Sequence, residues 1–479
     1  MEEVKNSLIP QIEQTKNVRL FNTLSRTVEK FEPIDDYQVK MYACGPTVYN
    51  FAHIGNLRSY IFEDILKRVL NASGYDVFHV MNVTDVGHLT SDEDSGDDKM
   101  ELRAKRENKT AFEIADFYLN AFKKNLSDLN ILEPDIYCKA TDNIKEQIDF
   151  VKTLEEKGFT YIISDGVYFD TSKISDYGRL SNIDINGLKA GARIEVIDGK
   201  KNITDFALWK FSPKDKKRQM EWDSPWGVGF PGWHIECSAM ATKFLGEYID
   251  IHCGGIDHIS IHHTNEIAQS ESALGHKWVN YWLHGEFLVL EKDEKMSKSA
   301  DNFMTLDRFA SRGYDPLVYR YYCLNTNYGK ALIFSWKAID SANVAFNKLK
   351  AKIIEYKKAN LSDEPVNLKP LEDFYKACQN DLNVPLGVGI MWDMINDSSI
   401  SNGNKYLILL EMDKVLGLRF DEMKEEELTF DDEILKLVSE RQEARKVKDF
   451  KTSDRIRNEL LKMGIALEDK PDGVRIKRI

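Results

Sequence analysis

The chain has 479 residues, of which 42% are hydrophobic and 30% charged, and its formal net charge is −13. This length predicts several domains with substantial cores, and the sequence shows neither an apolar run long enough for a membrane span nor a signal-peptide pattern. Six scattered cysteines predict a reducing cytoplasm rather than a disulfide framework.

Hydrophobic periodicity and turn residues divide the chain into successive regions. The runs Val39–Cys44 and Val77–Val83 alternate with helical stretches and predict the first half of a nucleotide-binding sheet. The run Gly166–Asp170 predicts small antiparallel strands, and helical periodicity beyond Trp336 predicts a bundle. We therefore predict an α/β fold, with a Rossmann-like doubly wound catalytic domain, an inserted small α+β domain, a helical bundle and a C-terminal region. The predicted boundaries are 18–145 and 205–294 for the two catalytic halves, 146–204 for the insertion, 295–335 for a loop and a connecting region, 336–428 for the bundle and 429–479 for the C-terminal region.

The first chemically informative stretch runs from Cys44 to Asn56 and reads Cys-Gly-Pro-Thr-Val-Tyr-Asn-Phe-Ala-His-Ile-Gly-Asn. It joins a predicted strand to the start of a helix. Polyphosphate binds well in that setting, because free backbone N–H groups and the positive end of the helix dipole meet there. His53 and Asn56 are therefore candidates to hold phosphate oxygens, and Gly45 and Gly55 belong to the same predicted ATP site. Taken alone, His53 fits a helix cap equally well.

A second stretch, Lys295-Met-Ser-Lys298-Ser299, places two lysines on a serine-rich loop. Lysines there would neutralise charge on phosphates in a transition state, although such a loop by itself is commonly only solvated. A doubly wound sheet brings distant strand ends to one crevice. The two stretches together predict an ATP-using enzyme with the catalytic residues His53, Asn56, Lys295 and Lys298.

Residue types that bind metals lie in and between these stretches: Cys44, Cys237, His262 and Glu266. His262 and Glu266 are four residues apart in a segment of helical composition, so their side chains project from one face. Sulfur, nitrogen and carboxylate ligands suit zinc better than magnesium or calcium. The alternative is that the cysteines are small buried hydrophobic residues, which is the interpretation we favour for Cys138, Cys323 and Cys378.

The two stretches resemble the HIGH and KMSKS motifs of class I aminoacyl-tRNA synthetases. Further runs resemble the cysteinyl-tRNA synthetase family in particular, and the resemblance covers the chain from about Leu20 to its end. These runs are Ala-Cys44-Gly-Pro-Thr-Val-Tyr, Pro231-Gly-Trp233-His-Ile-Glu-Cys237, His252-Cys-Gly-Gly255-Ile-Asp257 and His262-His-Thr-Asn-Glu266.

The resemblance implies a function and a set of site residues. L-cysteine and ATP would form cysteinyl-adenylate and pyrophosphate, and the 3' end of tRNA(Cys) would then accept the acyl group. Zinc would distinguish the thiol from the hydroxyl of serine, which a hydrophobic pocket separates by only roughly one to two orders of magnitude. Mg²⁺ would accompany ATP. The implied zinc ligands are Cys44, Cys237, His262 and Glu266; the implied cysteine contacts are Thr84, Trp233 and His252; and the implied ATP contacts include Gly255, Asp257 and Lys298.

The C-terminal region is basic in an otherwise acidic chain. From Arg441 to Ile479 there are twelve Lys and Arg against seven Asp and Glu, and the pattern predicts two helices separated near Asp449. The plain interpretation is a solvated charged helix. The resemblance implies instead that residues 429–479 recognise the anticodon through local basic surface, despite the negative total charge.

Two alternatives share part of this pattern. One is a ligase that forms cysteinyl-adenylate but passes the acyl group to an amino-sugar acceptor; the helical and basic C-terminal regions argue against it. The other is a catalytically silent RNA-binding paralogue, against which the intact motif residues argue. Because the sequence has no sustained heptad or large apolar stripe, we expect a monomer.

The chain departs from the family pattern in two places. Asn56 replaces the second histidine of the first motif, and an amide still donates a hydrogen bond to phosphate. In addition, an acidic segment at 91–98 extends the loop after Thr84. Packed acidic residues repel one another, so we expect a solvated loop, with the sharper hypothesis that it covers the ATP crevice or binds cations.

Overall fold

The structure, a computed structural model, describes residues 16–87, 98–182, 199–213, 215, 217–291, 304–360, 366–425, 431–470 and 473–478. The chain separates into two compact units, with the division between residues 421 and 422. The acidic segment predicted at 91–98 therefore lies outside the described residues, apart from Asp98. Lys295 and Lys298 also lie outside them.

The strands are short, and most belong to the first unit. In chain order they are β1 (Arg19–Asn22), β2 (Thr27–Lys30), β3 (Gln38–Ala43), β4 (Asp76–Val83), β5 (Ile136–Lys139), β6 (Thr160–Ile163), β7 (Gly166–Phe169), β8 (Phe206–Phe211), β9 (Gly229–Pro231), β10 (Ile249–Gly255), β11 (Val279–Gly285), β12 (Leu288–Leu290), β13 (Leu332–Phe334), β14 (Ile465–Lys470) and β15 (Gly473–Arg478).

The helices lie between the strands in the first half of the chain and dominate beyond residue 305. In chain order they are α1 (Ile54–Ala72), α2 (Lys99–Glu107), α3 (Ala111–Asp128), α4 (Ile144–Glu156), α5 (Trp233–Leu245), α6 (His262–Leu274), α7 (Leu306–Ala310), α8 (Pro316–Leu324), α9 (Trp336–Lys357), α10 (Lys369–Gln379), α11 (Val384–Asn396), α12 (Asn402–Leu416), α13 (Asp432–Lys446) and α14 (Phe450–Lys462). Among the described residues, no helix combines the length and apolar character needed to cross a bilayer.

A five-stranded parallel sheet forms the centre of the first unit, with the strand order β11–β10–β3–β4–β5. β3 and β4 are mostly buried along their length, as expected for parallel strands covered on both faces. The chain leaves β3 toward β4 and later returns to the other side of β3 at β10. The order of strands thus reverses between β3 and β10, and ligands bind at such a switch point in doubly wound sheets. The predicted α/β fold is confirmed.

A smaller antiparallel sheet has the order β6–β7–β8–β9. β7 pairs with β8, and β8 pairs with β9. The antiparallel sheet therefore extends beyond the predicted insertion at 146–204 and ends at Pro231, because β8 is one of its interior strands. β9 leads directly into α5, so this sheet sets the start of a helix that carries one of the candidate metal ligands.

Helices α9–α12 form the predicted bundle, and a buried charge cluster joins it to α1. Asp64 on α1 accepts hydrogen bonds from Arg68 at 2.8 Å and from Arg320 of α8 at 2.5 Å. Arg320 is fully buried and also donates to the carbonyl oxygen of Leu416, the last residue of α12, at 2.6 Å. Gly417 follows with a φ of +64°, and a Cβ there would lie 2.5 Å from Arg320 Nη2. A glycine is required at this position for both reasons.

The second unit consists of α13, α14 and the β14–β15 hairpin. Its small core contains Ile434, Val438, Ile456, Leu460, Ile465 and Leu467. Asp449 caps α14 by accepting a hydrogen bond from the Thr452 N–H at 3.1 Å, so the predicted separation of two helices near Asp449 is confirmed.

Candidate active site and metal centre

The site begins at the switch point, where β3 ends and α1 starts. His53 is the N-cap of α1: its Nδ1 accepts from the Asn56 N–H at 3.1 Å, and Asn56 Oδ1 accepts from the His53 N–H at 3.3 Å. This capping box orients both side chains. The side-chain amide nitrogen of Asn56 is not used by this capping box and can still donate a hydrogen bond. The two roles considered from the sequence, a helix cap and a phosphate contact, are therefore compatible.

After Lys298, the described chain begins again at Met304, which lies beside the first motif. The Ile54 N–H donates to the carbonyl oxygen of Met304 at 2.9 Å, and Thr305 forms a β-bridge with His53. The two lysines lie outside the described residues, but Met304, at the end of the segment that holds them, is attached to the start of α1.

A cavity of about 360 Å³ opens at the ends of β3 and β10, a volume typical of small-molecule sites. Seven residues predicted for the site line it: Cys44, Gly45, His53, Asn56, Trp233, Gly255 and Asp257. Gly45 is required for packing, because a Cβ there would lie 1.7 Å from the carbonyl oxygen of Asn82. A motif at residues 44–56 and another at residues 252–257 thus meet around one cavity.

The four candidate metal ligands converge beside this cavity, which Cys44 lines and the other three do not. Cys44 follows β3, Cys237 lies on α5, and His262 and Glu266 lie one turn apart on α6. Their ligand atoms all lie within 4.8 Å of one another, and all four residues are buried. A tetrahedral zinc ion with bonds of about 2.0–2.3 Å places its ligand atoms about 3.3–3.8 Å apart, so these atoms are already close enough to share one ion.

Electrostatics within this cluster favour a cation. Although burial opposes both shifts, His252 and His262 lower the pKa of Glu266 to about 2, and Glu266 and Cys237 raise the pKa of His262 to about 10. A hydrogen bond from Cys44 lowers the pKa of Cys237, whereas burial raises that of Cys44. Without an ion, a proton on His262 therefore balances the anionic groups, and a metal ion would displace that proton.

The position of the Glu266 carboxylate supports the same interpretation. Its Oε1 lies 2.9 Å from His262 Nε2, yet it makes no hydrogen bond within the described part of the chain. Both atoms belong to the cluster of four ligand atoms that lie within 4.8 Å of one another. A second group, Cys44, His252, His263 and Glu266, also clusters, but it lacks the lowered-pKa thiol of Cys237.

Histidines behind the ligands form a hydrogen-bonded chain. His263 Nε2 lies 3.1 Å from Cys44 Sγ, His263 Nδ1 lies 2.8 Å from His284 Nε2, and His284 Nδ1 lies 2.8 Å from Thr23 Oγ1. Burial lowers the pKa of both histidines well below the usual value, so both rings are neutral. A neutral imidazole donates once and accepts once. If the Thr23 hydroxyl donates to His284 Nδ1, then His284 Nε2 donates to His263 Nδ1, and His263 Nε2 donates to the Cys44 sulfur. A thiolate ligand is stabilised by a donor in this position.

Two predicted cysteine contacts lie behind the cavity rather than on its wall. His252 is fully buried, and its Nε2 lies 2.9 Å from Glu266 Oε2. Thr84 is 2% exposed and donates to Glu236 Oε2 at 3.2 Å. Trp233 does line the cavity, and its ring centroid lies 4.5 Å from that of His262. The structure thus brings Trp233 to the cavity and places His252 against a candidate metal ligand.

Sequence reasoning missed several residues of the site: Ser59, Tyr60, Glu63, Lys99, Lys210, His263 and His284. The first five line the cavity. Ser59, Tyr60 and Glu63 follow Asn56 at spacings of three and four, a periodicity that would have revealed them once the start of α1 was known. His284 had no comparable signal, because its partner His263 is distant in sequence.

The comparisons with known proteins agree with this geometry. A family model described as the tRNA synthetases class I (C) catalytic domain matches residues 30–344. The Mycobacterium tuberculosis methionyl-tRNA synthetase in complex with methionyl-adenylate has a similar fold, with a TM-score of 0.54 over 80% of this chain and 90% of that chain, at 14% identity. The fold and the catalytic-domain match define a class I tRNA synthetase.

More specific matches identify the family. A model of the cysteinyl-tRNA ligase anticodon binding domain matches residues 429–476. Cysteine–tRNA ligase 1 of Burkholderia lata is 49% identical over 95% of this chain and 96% of its own length. The cysteine–tRNA ligase of Treponema denticola is 46% identical over 95% of this chain and 98% of its own length. The cysteine–tRNA ligase of Thermococcus gammatolerans is 40% identical over 96% of this chain and 99% of its own length. The chain belongs to the cysteinyl-tRNA ligase family, which confirms the resemblance.

Proposed function

We propose that this chain activates L-cysteine with ATP, forming cysteinyl-adenylate, and transfers the cysteinyl group to the 3' end of tRNA(Cys). The observation that carries the proposal is the shared position of Cys44. Its thiol belongs to the cluster of four metal-ligand atoms, and the same residue lines the cavity that His53 and Asn56 enter. Through Cys44, the proposed thiol-selective centre therefore borders the cavity at the proposed phosphate-binding helix terminus.

Cys44, Cys237, His262 and Glu266 fit one zinc ion, and we propose that they hold it. When bound, zinc would supply a soft Lewis acid for a thiolate, for which a neutral hydroxyl is a poor substitute. The residues around it have separate tasks. His252 orients Glu266, His263 donates to Cys44, and Trp233 covers the cluster from the cavity side.

The phosphates of ATP, accompanied by Mg²⁺, would lie at the N-terminus of α1. His53 and Asn56 are oriented there by their capping box, and the helix dipole favours anionic groups at this end. Lys295 and Lys298 are proposed to stabilise the charge on the α- and β-phosphates during adenylate formation. Gly255 and Asp257, together with Gly45 and Gly55, complete the proposed ATP site. Thr84 and His252 as direct cysteine contacts stay predictions.

The setting of the reaction is also a proposal. The C-terminal residues 429–479 would bind the anticodon region of tRNA(Cys), which the family match of this segment supports. All six cysteines are buried, and none of them forms a disulfide. This fits a reducing cytoplasm. A monomer and the predicted domain boundaries stay proposals. The alternatives of an amino-sugar acceptor and a silent paralogue gain no support from the comparisons.

The decisive experiment measures L-cysteine-dependent ATP–pyrophosphate exchange and then transfer to tRNA(Cys) by the full chain. We expect exchange with L-cysteine and strong discrimination against L-serine. Transfer to tRNA(Cys) but not to a glucosamine-type acceptor is also expected. Exchange that is equally fast with serine would contradict the thiol-selective centre.

A further inference from the structure

A buried carboxyl group that has no hydrogen-bond partner among the described residues lines the proposed ATP cavity. Glu63 lies on α1 and is 1% exposed. Neither of its oxygens has a hydrogen-bond partner among the residues that the structure describes, yet Glu63 lines the same cavity as Asn56 and Gly255. Burying an unpaired polar group is unfavourable, and native structures rarely keep one without a reason.

The position of Glu63 along α1 separates it from the phosphate end of the cavity. Asn56, Ser59, Tyr60 and Glu63 recur at spacings of three and four and all line the cavity, so they form one face of the helix. Glu63 lies about 10 Å along the axis from Asn56, since each residue adds about 1.5 Å. If the phosphates lie at the helix N-terminus, a nucleoside that follows this face of α1 would reach the level of Glu63.

The opposite wall is the end of β10. A Cβ built on Gly255 would lie 3.7 Å from Ser59 Oγ, so β10 and α1 approach closely at this level. Gly255 and Asp257 are the proposed contacts of the ATP ribose. Glu63 lies one turn beyond Ser59 on the same helical face, so it lies next to the space proposed for the sugar.

We propose that the Glu63 carboxyl forms a hydrogen bond with a ribose hydroxyl of ATP and is a specificity-determining residue of the nucleotide site. The inference rests on the proposed ATP-dependent function. The bond would satisfy the buried carboxyl and would favour ribonucleotides over deoxyribonucleotides, because a site that pairs with a hydroxyl rejects the analogue that lacks it.

The charge state of Glu63 agrees with a neutral partner. Burial raises the pKa of this carboxyl well above its usual value, which favours its uncharged form. An uncharged carboxyl both donates and accepts a hydrogen bond, and it pairs with a hydroxyl without burying a net charge.

The test pairs variants of Glu63 with deoxynucleotides. Glu63→Met keeps an unbranched side chain of similar length but removes the polar atoms, and we expect the KM for ATP in pyrophosphate exchange to rise about tenfold with the KM for L-cysteine unchanged. Either 2'-deoxy-ATP or 3'-deoxy-ATP should bind to the wild-type chain more weakly than ATP does. The affinity for that deoxynucleotide should not fall further in Glu63→Met. Glu63→Gln, which keeps hydrogen-bonding atoms, should retain most of the affinity for ATP.

Three outcomes would overturn the inference: an unchanged KM for ATP in Glu63→Met, an equal loss for ATP and both deoxynucleotides, or a rise confined to the KM for L-cysteine. Thermal unfolding is the control for folding, and Glu63→Met should be at least as stable as wild type because an unpaired buried carboxyl has been removed. A wild-type chain without any exchange activity would count against the proposed function instead. Equilibrium binding of ATP and the two deoxynucleotides would then still test Glu63.

Discussion

Single side chains beside the cavity carry the selectivity proposed for this chain. The ligand atoms of Cys44, Cys237, His262 and Glu266 lie within 4.8 Å of one another. Glu266 and Cys44 are also in hydrogen-bond contact with His252 and His263, respectively. Loss of one ligand removes a bond to the ion and also disturbs the buried charges around it. Substitutions at this scale should therefore change metal content and substrate choice together.

Replacing Cys237 by Ser tests the ligand set directly. A hydroxyl is a poor zinc ligand, so we expect Cys237→Ser to lose most of its zinc by elemental analysis and to lose about 100-fold or more in kcat/KM for L-cysteine, equivalent to about 2.7 kcal/mol. Cys378→Ala is the matched control, because Cys378 is buried on α10 and does not line the cavity. Full zinc occupancy in Cys237→Ser would contradict the proposed centre.

Lys298 is expected to act only in the transition state of adenylate formation. We predict that Lys298→Ala slows the exchange reaction by roughly two orders of magnitude or more, with the KM for L-cysteine nearly unchanged. Circular dichroism and metal content should match those of wild type. Near-normal exchange in this variant would remove the role proposed for Lys298.

Among the elements, α1 combines more tasks than any other helix that the structure describes. Its first turn orients His53 and Asn56, one face lines the cavity, and Asp64 on another face pairs with Arg68 and Arg320. The element is thereby fixed between the sheet and the helical bundle. The position of α1 determines the geometry of the cavity, because residues from its N-cap to Glu63 line it.

Breaking the buried charge cluster should destabilise the first unit. Arg320 lowers the pKa of Asp64 in spite of burial, and Asp64→Asn would leave the buried Arg320 guanidinium without its counter-charge. We expect a loss of about 3–5 kcal/mol in the free energy of unfolding, measured by urea denaturation. Asp373→Asn, which removes an exposed pair with Lys369, is the control and should cost less than about 1 kcal/mol.

His79 on β4 predicts a measurable acid sensitivity. Burial, with a contribution from Lys67, lowers the pKa of His79 to about 3, against 6.5 for an ordinary histidine. Below pH 6.5 the unfolded chain therefore binds a proton that the folded chain does not, and stability falls by about 1.4 kcal/mol for each pH unit down to about 3. Urea unfolding between pH 7 and 5 should show a smaller dependence on pH in His79→Leu than in wild type. Identical dependences would contradict the prediction.

At the scale of the whole molecule, the proposed activation and the proposed anticodon recognition belong to two different compact units. The net charge is −13, yet residues 441–479 carry twelve basic and seven acidic residues. Local charge rather than total charge determines contact with phosphates. We therefore expect the catalytic step and the selection of tRNA to depend on different parts of the molecule.

Removing residues 422–479 should separate these tasks. The truncated chain keeps the sheet, the cavity and the metal ligands, so we expect pyrophosphate exchange to remain near wild type. The kcat/KM for aminoacylation of tRNA(Cys) should fall about 10- to 100-fold, or about 1.4–2.7 kcal/mol, and should depend less on salt, because fewer phosphate contacts remain. An unchanged aminoacylation rate would contradict RNA binding by the second unit.

The sequence by itself determined the local elements and the chemistry of the motifs. The strands around Val39–Cys44 and Val77–Val83, the start of α1 at His53 and the break near Asp449 follow from patterns within a few residues, where periodicity and capping dominate. The four metal-ligand residue types were noted in the sequence, and the expectation that they share one zinc ion came from the resemblance to the family. The topology of a doubly wound sheet predicted that the two ATP motifs meet at one crevice.

Only the tertiary structure decided how distant segments combine. β8 and β9 complete the antiparallel sheet beyond residue 204, and His263 reaches Thr23 through His284. Glu63 is buried beside the cavity with no hydrogen-bond partner in the part of the chain that the structure describes. These features depend on contacts between residues far apart in the chain and on burial, which local patterns do not encode. The surroundings also change the chemistry of one residue type, because two histidines lower the pKa of Glu266 to about 2 whereas burial raises the pKa of Glu63 well above its usual value.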